Sequence, residues 1–586
     1  MEQTDAFFER LNKNKTYAGI TGFLFPVILV VFAFIKVNKG LDITDSAFNP
    51  YNYLHTGSLN DTWFYSYFLT NMLGAFFGIL PMGKTMLGMN IYTGLVKLIL
   101  ALLSYFFFTK RIGFRREYVF IGVLTALGLC WCPTTVMYNY LTYLLFFAGT
   151  AMLYTGLVKD DVKRLFIAGL LLGLNLFVRF PNLCEAGLIV AVWFYSFLQK
   201  ETLRDCLKKT GICILGYVIA LVIGFVAIAF TPNGIGGFFE GIKGLFAMTK
   251  EATGYAPTGM IRGIVDVYVW FWTYTETTIL MLLMCTLVSL MLPHKLNWVR
   301  YFAVSVITLV LIFMLYRKGM FSFDYSSYGP IYGTGVLVTE ITLLFSIFCL
   351  IAKIEKEDKL LAMICILTVL ITPLGTNNAL YANINYGFFT LPVLIALLFR
   401  QKHINPYFKT VNYALLLLTL LLTVQSVIFG ARFVFRDGDK QPMNTKVLGP
   451  AAVGAMKTTA DHASELNGLF KYFSDKSNVP GDAGILQYGD VSGLAFYLQR
   501  EVATGFAWPS LDSYPIESFQ NDLNELESKG ETPVVIVGIR DYEQMNSDEL
   551  TPKQIILKEF LGNNHYEIGY YSERLVVLTA SRNGEN

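Results

Sequence analysis

Apolar runs of about 18 residues, separated by shorter polar segments, recur along the chain as far as residue 435, and such a run crosses a hydrocarbon core of about 30 Å as a helix. We predict that the first run is a retained span, because no small-residue cleavage site follows it. The thirteen predicted spans are 18–35, 86–109, 118–134, 140–158, 165–178, 183–198, 210–230, 269–292, 301–316, 331–351, 360–373, 386–399 and 411–435.

The pattern changes after residue 436, where charged and apolar residues are mixed. "AGILQYGD" and "TPVVIVGI" are typical of buried strands, and "HYEIGYYSERLVVLTAS" is typical of a hairpin. "TPKQIILKEFLGNN" predicts a helix with Thr551 as N-cap and Pro552 at its first position. The predicted fold class is a polytopic α-helical membrane protein with a small C-terminal extracytoplasmic α/β domain. The predicted domains are a transmembrane domain with outer-face loops over 1–436 and the α/β domain over 437–586.

The composition agrees with a membrane protein. Of the 586 residues, 54% are hydrophobic and 15% are charged, whereas a soluble domain has about 25% charged residues. The net charge of +3 is too small to indicate a nucleic-acid partner. The eight cysteines all lie in or beside the apolar part, which indicates packing residues and no disulfide framework.

The segment 63–80 is also apolar, and the distribution of Lys and Arg decides whether it crosses. If it does not cross, the loops on one side contain 22 Lys and Arg and those on the other side contain 9. Cytoplasmic loops carry the excess of positive charge, so the N-terminus is then inside and the C-terminal domain outside. Crossing would reverse this bias. We therefore predict that 63–80 lies in the outer interface of a multi-pass plasma (cytoplasmic) membrane protein.

Two carboxylates follow the first span directly, at the outer surface of the membrane. Asp42 and Asp45 lie in "KGLDITDSAFNPYNYLH", within a long loop rich in aromatic residues. One interpretation is that they are solvated loop carboxylates, or that Asp45 caps the next helix. The other, which their position favours, is a partly desolvated carboxylate whose raised proton affinity suits a general base.

Basic and amide side chains at the outer ends of the spans are candidates for substrate binding. Arg179, in "NLFVRFPNLCE", ends the fifth span. It suits either bidentate phosphate binding or snorkelling to the headgroups. Arg317 and Lys318 lie in "LYRKGMFSFDYSSYGP", and Asn377 and Asn378 lie in "TPLGTNNALYANINYG". These loops suit sugar hydroxyls and sugar rings, and equally suit an aromatic belt at the membrane surface.

Signatures of two hydrolase classes are absent from the chain. Neither HExxH nor GxSxG occurs, which excludes the zinc-protease motif and the nucleophile elbow. No cytoplasmic nucleotide-using domain is predicted, so an enzyme of this kind takes its energy from its substrate. No cofactor is predicted, because no ligand cluster supports a divalent metal.

Three motifs resemble those of the GT-C superfamily of membrane glycosyltransferases: "LDITDSAFNPYNY", "LFVRFPN" and "PLGTNNALY". The carboxylate in the first outer loop, the membrane-parallel segment and the outer α/β tail extend the resemblance over nearly the whole chain. The resemblance implies a bacterial enzyme that moves a hexosyl or pentosyl group from a polyprenyl-phosphate carrier to a glycan, lipid or protein acceptor, in contact with membrane lipid. It also implies, by position, Asp45 as the catalytic base, with Asp42 next.

The same resemblance implies direct displacement, which inverts the anomeric centre. Arg179, or else Arg317 or Lys318, would stabilise the leaving phosphate. The main alternative is a secondary transporter or flippase of a lipid-linked or small polar substrate. A surface-polysaccharide polymerase or ligase and a non-enzymatic scaffold are further alternatives.

The charge bias generates a first testable prediction. A reporter enzyme that is active only outside the cytoplasm, fused after Asn586, should be active. A cytoplasmic reporter fused at the same position should be silent. The opposite result would show that the number of spans has the wrong parity, and Asp45 would then lie on the wrong side of the membrane for its predicted role.

Overall fold

The computed structural model describes residues 15–133, 135, 137–247, 256–321, 324, 326–376, 378–400, 406–438, 440–547 and 549–581. Helices account for most of the chain up to residue 432. They are α1 (Lys15–Phe34), α2 (Asp45–Leu54), α3 (Asp61–Ser66), α4 (Phe68–Ile79), α5 (Met86–Phe106), α6 (Arg116–Leu129), α7 (Met137–Val158), α8 (Val162–Val178), α9 (Val190–Gln199), α10 (Leu203–Ala229), α11 (Gly234–Ala247), α12 (Pro257–Met291), α13 (Asn297–Arg317), α14 (Gly329–Ile351), α15 (Lys356–Ile371), α16 (Tyr381–Ile384), α17 (Gly387–Arg400) and α18 (Pro406–Arg432). A 3₁₀ segment, Phe180–Ile189, leads into α9.

The predicted spans coincide with helices of the structure. Each of the thirteen lies largely on one helix, counting the 3₁₀ segment before α9 as part of it. By length and composition alone, eight helical segments within the described ranges are long and apolar enough to cross a membrane. The predicted class of polytopic α-helical membrane protein is confirmed. The number thirteen stays a prediction.

One span is longer than its apolar pattern predicts. Helix α12 begins at Pro257 instead of residue 269. Its first turns contain Arg262 and Asp266, whose side chains approach to 3.7 Å at i,i+4 spacing. Such a pair lets a helix continue through charged residues, which the hydropathy of the sequence alone does not show.

The segment 63–80 forms two short helices, α3 and α4. The longer of them, α4, has 12 residues, or about 18 Å at the usual rise of an α-helix. That length is too short to cross a hydrocarbon core of about 30 Å. The position of this segment on one side of the membrane stays a prediction.

The C-terminal part contains a four-stranded sheet with helices packed on it. Its elements are β1 (Thr445–Lys446), β2 (Lys457–Thr458), α19 (Ala460–Ser474), β3 (Ile485–Tyr488), α20 (Leu494–Leu498), α21 (Ile516–Lys529), β4 (Val534–Gly538), α22 (Ile539–Met545), α23 (Pro552–Asn563), β5 (Tyr566–Tyr571) and β6 (Leu575–Ala580). The strand order is β3-β4-β6-β5, with β3 and β4 parallel and the other pairs antiparallel. Strands β1 and β2 form a separate antiparallel pair.

These elements are those that the sequence predicts. Strands β3 and β4 lie in the two apolar runs, and β5 and β6 form the hairpin. Helix α23 begins with a capping box, in which Thr551 accepts from the Gln554 N–H and the Gln554 side chain accepts from the Thr551 N–H. The predicted C-terminal α/β fold is therefore confirmed.

The predicted first outer loop, residues 36–85, contributes to the core of the C-terminal part. Five apolar residues of this loop lie in the same buried cluster as the sheet: Leu41, Ile43, Ala47, Phe48 and Tyr51. The Gly493 N–H donates to the Ile43 carbonyl over 2.7 Å, and the Lys457 N–H donates to the Asn38 carbonyl over 2.9 Å. The division of the chain at 436/437 stays a prediction, since both sides of it contribute to one core.

Asp437 lies at this junction with its side chain fully buried. Its Oδ2 accepts from the Leu41 N–H at 2.7 Å and from the Thr458 hydroxyl at 2.5 Å. Its Oδ1 lies 2.7 Å from His462 Nδ1 and 3.6 Å from an Arg574 guanidinium nitrogen. A carboxylate is tolerated in a protein interior only when it is paired and hydrogen-bonded. Asp437 meets that condition by joining the outer loop to the C-terminal part.

Replacing Asp437 should therefore loosen the junction. We expect Asp437→Ala to lower the free energy of unfolding by about 3 kcal/mol, because Arg574 and the Leu41 N–H lose a buried partner. Thermal unfolding of the purified protein in detergent measures this as a lower midpoint. Asp482→Ala removes an exposed carboxylate of the same domain and should leave the midpoint unchanged. Equal midpoints for the two variants would contradict the role of Asp437.

Candidate active site

Asp42 forms the turn that precedes α2. Its Oδ1 accepts from the Thr44 N–H at 2.9 Å and from the Thr44 hydroxyl at 2.6 Å, and its Oδ2 accepts from the Ser46 N–H at 2.9 Å. Burial raises the pKa of Asp42, and these hydrogen bonds oppose the rise. The carboxylate is only 2% exposed. Its geometry is that of a side chain that holds the backbone of the loop.

Asp45 is the first residue of α2 and faces a cation. Its Oδ2 lies 3.2 Å from a guanidinium nitrogen of Arg436. The same nitrogen donates to the Thr44 hydroxyl at 3.1 Å and lies 3.8 Å from Asp490 Oδ1. Arg436 thus joins the first outer loop to the C-terminal part at the position of Asp45. Because the pair is partly exposed, it adds little stability and serves mainly to fix the geometry.

Burial raises the pKa of Asp45 from 3.8 to about 6. Arg436 lowers it, while the negative charges of Asp42 and Asp490 raise it further. The side chain of Asp45 is 30% exposed, and that exposure faces a cavity, so burial still dominates. A carboxylate with a pKa near 6 is largely ionised at neutral pH and remains basic enough to take up a proton.

A cavity of about 550 Å³ lies beside Asp45. Three parts of the chain line it: the predicted first outer loop, the helix ends predicted to lie at the outer surface, and the C-terminal part. The lining residues that carry charge or amide groups are Asp45, Asn49, Asn139, Arg179, Asn378, Asn385, Arg436, Asp490 and Asp512. Aromatic rings that include Trp63, Tyr67, Tyr138, Tyr328 and Trp508 form much of the remaining wall.

Arg179 lines this cavity from the end of α8. Helix α8 ends at Val178, and Pro181 stands in the first turn of the 3₁₀ segment that follows, as the sequence predicts. The guanidinium carbon lies 5.8 Å from the centroid of the Tyr138 ring. Burial raises the pKa of Tyr67, and Arg179 opposes the rise through its charge and a hydrogen bond. The Nε of Arg179 has no hydrogen-bond partner within the described ranges.

The structure brings together three of the seven predicted site residues. Asp45, Arg179 and Asn378 line the cavity, and Asn377 lies outside the described residues. Asp42, beneath the turn, is not part of the cavity wall.

Arg317 and Lys318 do not line the cavity either. Arg317 is exposed at the end of α13. The Lys318 ammonium donates to both Thr273 and Thr277 of α12, at 2.6 Å to each hydroxyl. It is therefore bound to a neighbouring helix and does not point to the site that its loop position predicts.

Sequence reasoning missed the parts of the site that come from the C-terminal half. Arg436 looks like a polar junction residue after the last span, and Asp490 and the segment 508–513 look like ordinary loops. One local signal was available, because "FRDGD" places an arginine at the predicted outer end of a span. In the structure, Arg436 adopts a φ of 47°, in the left-handed region that is uncommon for a residue other than glycine.

Residues 78–85, "GILPMGKT", match the GxxxxGK[ST] pattern of nucleotide-binding loops. In such a site the loop joins a strand to a helix. Here it follows helix α4, and Thr85 accepts from the Gly88 N–H as the N-cap of α5. The segment that matches the pattern is therefore a turn between two helices and lacks the strand of a nucleotide-binding loop. Within the described ranges, no group of three or more His, Cys, Asp and Glu side chains could hold a metal ion.

Comparisons with known proteins identify neighbours of the fold. No protein-family model matches the chain, and no curated protein matches its sequence. The oligosaccharyltransferase of Archaeoglobus fulgidus, solved with Zn and sulfate, is 11% identical with a TM-score of 0.45, over 95% of this chain and 73% of that one. ArnT from Cupriavidus metallidurans, solved with undecaprenyl phosphate, is 11% identical with a TM-score of 0.40, over 97% and 99%.

Both neighbours are GT-C glycosyltransferases, the superfamily that the sequence motifs resemble. The similarity to this chain is one of overall architecture. With TM-scores below 0.5, it assigns no activity, ligand or residue role to this chain.

Proposed function

We propose that this protein is a glycosyltransferase that moves a sugar from a polyprenyl-phosphate carrier to an acceptor hydroxyl on the outer face of the membrane, with inversion. One observation carries the proposal. A carboxylate with a raised pKa, Asp45, shares one polar cavity with two guanidinium groups, Arg179 and Arg436, at the outer ends of the spans. This combination suits a reaction that removes a proton and releases a phosphate.

Asp45 is the proposed general base. It takes the proton of the acceptor hydroxyl as the oxygen attacks the anomeric carbon of the donor. The bond between that carbon and the carrier phosphate breaks, and the phosphate leaves with the electron pair. A single displacement of this kind inverts the anomeric centre. A base whose pKa lies near the working pH is the most effective, and a pKa of about 6 meets that condition.

Arg179 is the proposed anchor for the donor phosphate. Its guanidinium lies at the cavity wall where the membrane helices end, which is where a lipid-linked phosphate would enter. Guanidinium binds phosphate oxygens in a planar, bidentate geometry and stabilises the charge that develops on the leaving group. The C-terminal segment 508–513 also lines the cavity, and its proposed role is to contact the acceptor.

A transporter or flippase of a lipid-linked substrate remains the second candidate, because of Glu340. This carboxylate lies within α14, is 4% exposed, and has no hydrogen-bond partner for either oxygen within the described ranges. Ionisable groups inside a membrane commonly mark transport pathways. Sugar transfer from donor to acceptor by the purified protein separates the candidates, because a transporter leaves the glycosidic bond to the phosphate intact.

Arg179→Ala should weaken donor binding more than Arg179→Lys, because only arginine offers the bidentate fork. Loss of one charged hydrogen bond costs about 1.5–3 kcal/mol, or roughly 10- to 150-fold in affinity. Equilibrium binding of a polyprenyl-phosphate sugar to the purified variants measures the difference. Arg317→Ala, in an exposed arginine outside the cavity, should bind as the wild type does. An unchanged affinity in Arg179→Ala would leave Arg179 as a snorkelling anchor.

Asp45→Asn should fold normally and lose about 10²–10⁴-fold in transfer rate, the usual contribution of a general base. Asp42→Asn should lose less, since Asp42 holds the turn and does not line the cavity. Asp61→Asn is the matched control, because Asp61 lies in the same loop and its Oδ1 accepts from the Asn233 amide at 2.7 Å, outside the cavity. Rates are measured with labelled donor and saturating acceptor. A transfer rate in Asp45→Asn equal to that of the wild type would contradict the proposal.

The pKa of Asp45 also sets a pH dependence. A general base must be ionised, so the transfer rate should fall as the pH drops through about 6 and should level off above it. Arg436 lowers the pKa of Asp45, so Arg436→Gln should move this midpoint to higher pH. Rate profiles of the two proteins test the shift. A midpoint that stays in place would show that Asp45 is not the group that titrates.

A further inference from the structure

A second, smaller cavity of about 40 Å³ adjoins the one beside Asp45. The two share a wall made of Trp131, Cys132, Pro133 and Phe435. A buried water needs roughly 10–15 Å³ of such space, so the cavity is large enough for several waters or for one small polyatomic group. It lies where the first span ends, at the outer boundary of the membrane helices.

One lysine, Lys36, lines this cavity, and a second, Lys97, lies near enough for its charge to act on Lys36. Lys36 lines it, directly after α1, and its ammonium donates to the Phe433 carbonyl at 2.6 Å. Lys97, in α5, is 4% exposed, and its ammonium lies 5.7 Å from the centroid of the Tyr140 ring. Within the described part of the chain, neither lysine forms an ion pair. A third lysine, Lys39, is exposed at the rim.

The carboxylate on the cavity wall, Asp42, forms no ion pair with either lysine among the described residues. Asp42 directs both of its oxygens to Thr44 and Ser46. Burial, together with the charge of Lys97, lowers the pKa of Lys36 to about 7. Burial therefore disfavours the charged form of Lys36. An anion bound in this cavity would stabilise that charged form.

We propose that this cavity is a binding site for a phosphate group, a monoester or diester, held by Lys36 with Lys97 behind it. Lysine is a common phosphate ligand as a point charge. The chemistry is shared by two sources, a lipid headgroup at the membrane surface and free phosphate. The site is separate from the Asp45 cavity and does not depend on sugar transfer.

Calorimetric titration of the purified protein in a neutral detergent tests the site, with inorganic phosphate in one arm and short-chain phosphatidic acid in the other. The wild type should bind at least one of them saturably, and Lys36→Gln should bind it at least tenfold more weakly. Lys476→Gln, which removes an exposed lysine of the C-terminal domain, should match the wild type. Binding of phosphatidic acid alone would show that the site takes a lipid headgroup. Binding of both ligands would show that it also takes free phosphate. No binding in either arm, or equal affinities in all three proteins, overturns the proposal.

A labelling experiment on the wild type covers the case in which Lys36→Gln does not fold. Amine acetylation is followed by peptide mass spectrometry with and without the saturating ligand. Lys36 should be modified several-fold more slowly when the ligand is bound, while Lys476 keeps its rate as an internal reference. Absence of protection at Lys36 overturns the site. Asp45→Asn should bind the ligand as the wild type does. The binding result therefore stands even if the transferase proposal fails.

Discussion

The buried carboxylate of Asp437 is the constraint on which the rest of the site depends. It ties Leu41 of the first outer loop to Thr458, His462 and Arg574 of the C-terminal part. None of these partners can be removed without leaving an unpaired polar group in the interior. The loop and the sheet therefore hold one fixed arrangement, although the membrane helices separate them in sequence. The junction is also closely packed, because a Cβ at Gly40 would lie 2.1 Å from Val434 Cγ1.

This arrangement explains why Asp45 lines the larger cavity while Asp42 does not. Both carboxylate oxygens of Asp42 accept hydrogen bonds from Thr44 and Ser46. These bonds fix the turn before α2, which begins at Asp45. Asp45 then stands in the first turn of that helix, where Arg436 meets it from the C-terminal side. The carboxylate of Asp42 fixes the backbone, whereas the carboxylate of Asp45 faces Arg436 and the cavity. Two acidic residues three positions apart thus have different environments and different chemistry.

Local pattern was enough for the helices, the sheet and part of the site. Apolar run length located the spans, Thr551 identified the start of α23, and outer-end positions singled out Asp45 and Arg179. What it could not supply were contacts between distant segments. Arg436 meets Thr44 from 392 positions away. The ammonium of Lys318 donates to a threonine of a neighbouring helix, and the sequence of its own loop does not predict that contact.

The pairing of Arg436 with Asp45 has a further consequence under the proposed function. In the structure the guanidinium stabilises the ionised carboxylate and so weakens it as a base. A donor phosphate in the same cavity would compete for the guanidinium, since phosphate is a strong bidentate acceptor. If Arg436 turned to the phosphate, its lowering effect on the pKa of Asp45 would be lost and that pKa would rise. The base would then become strongest when the donor is in place, so that one arginine couples donor binding to proton removal.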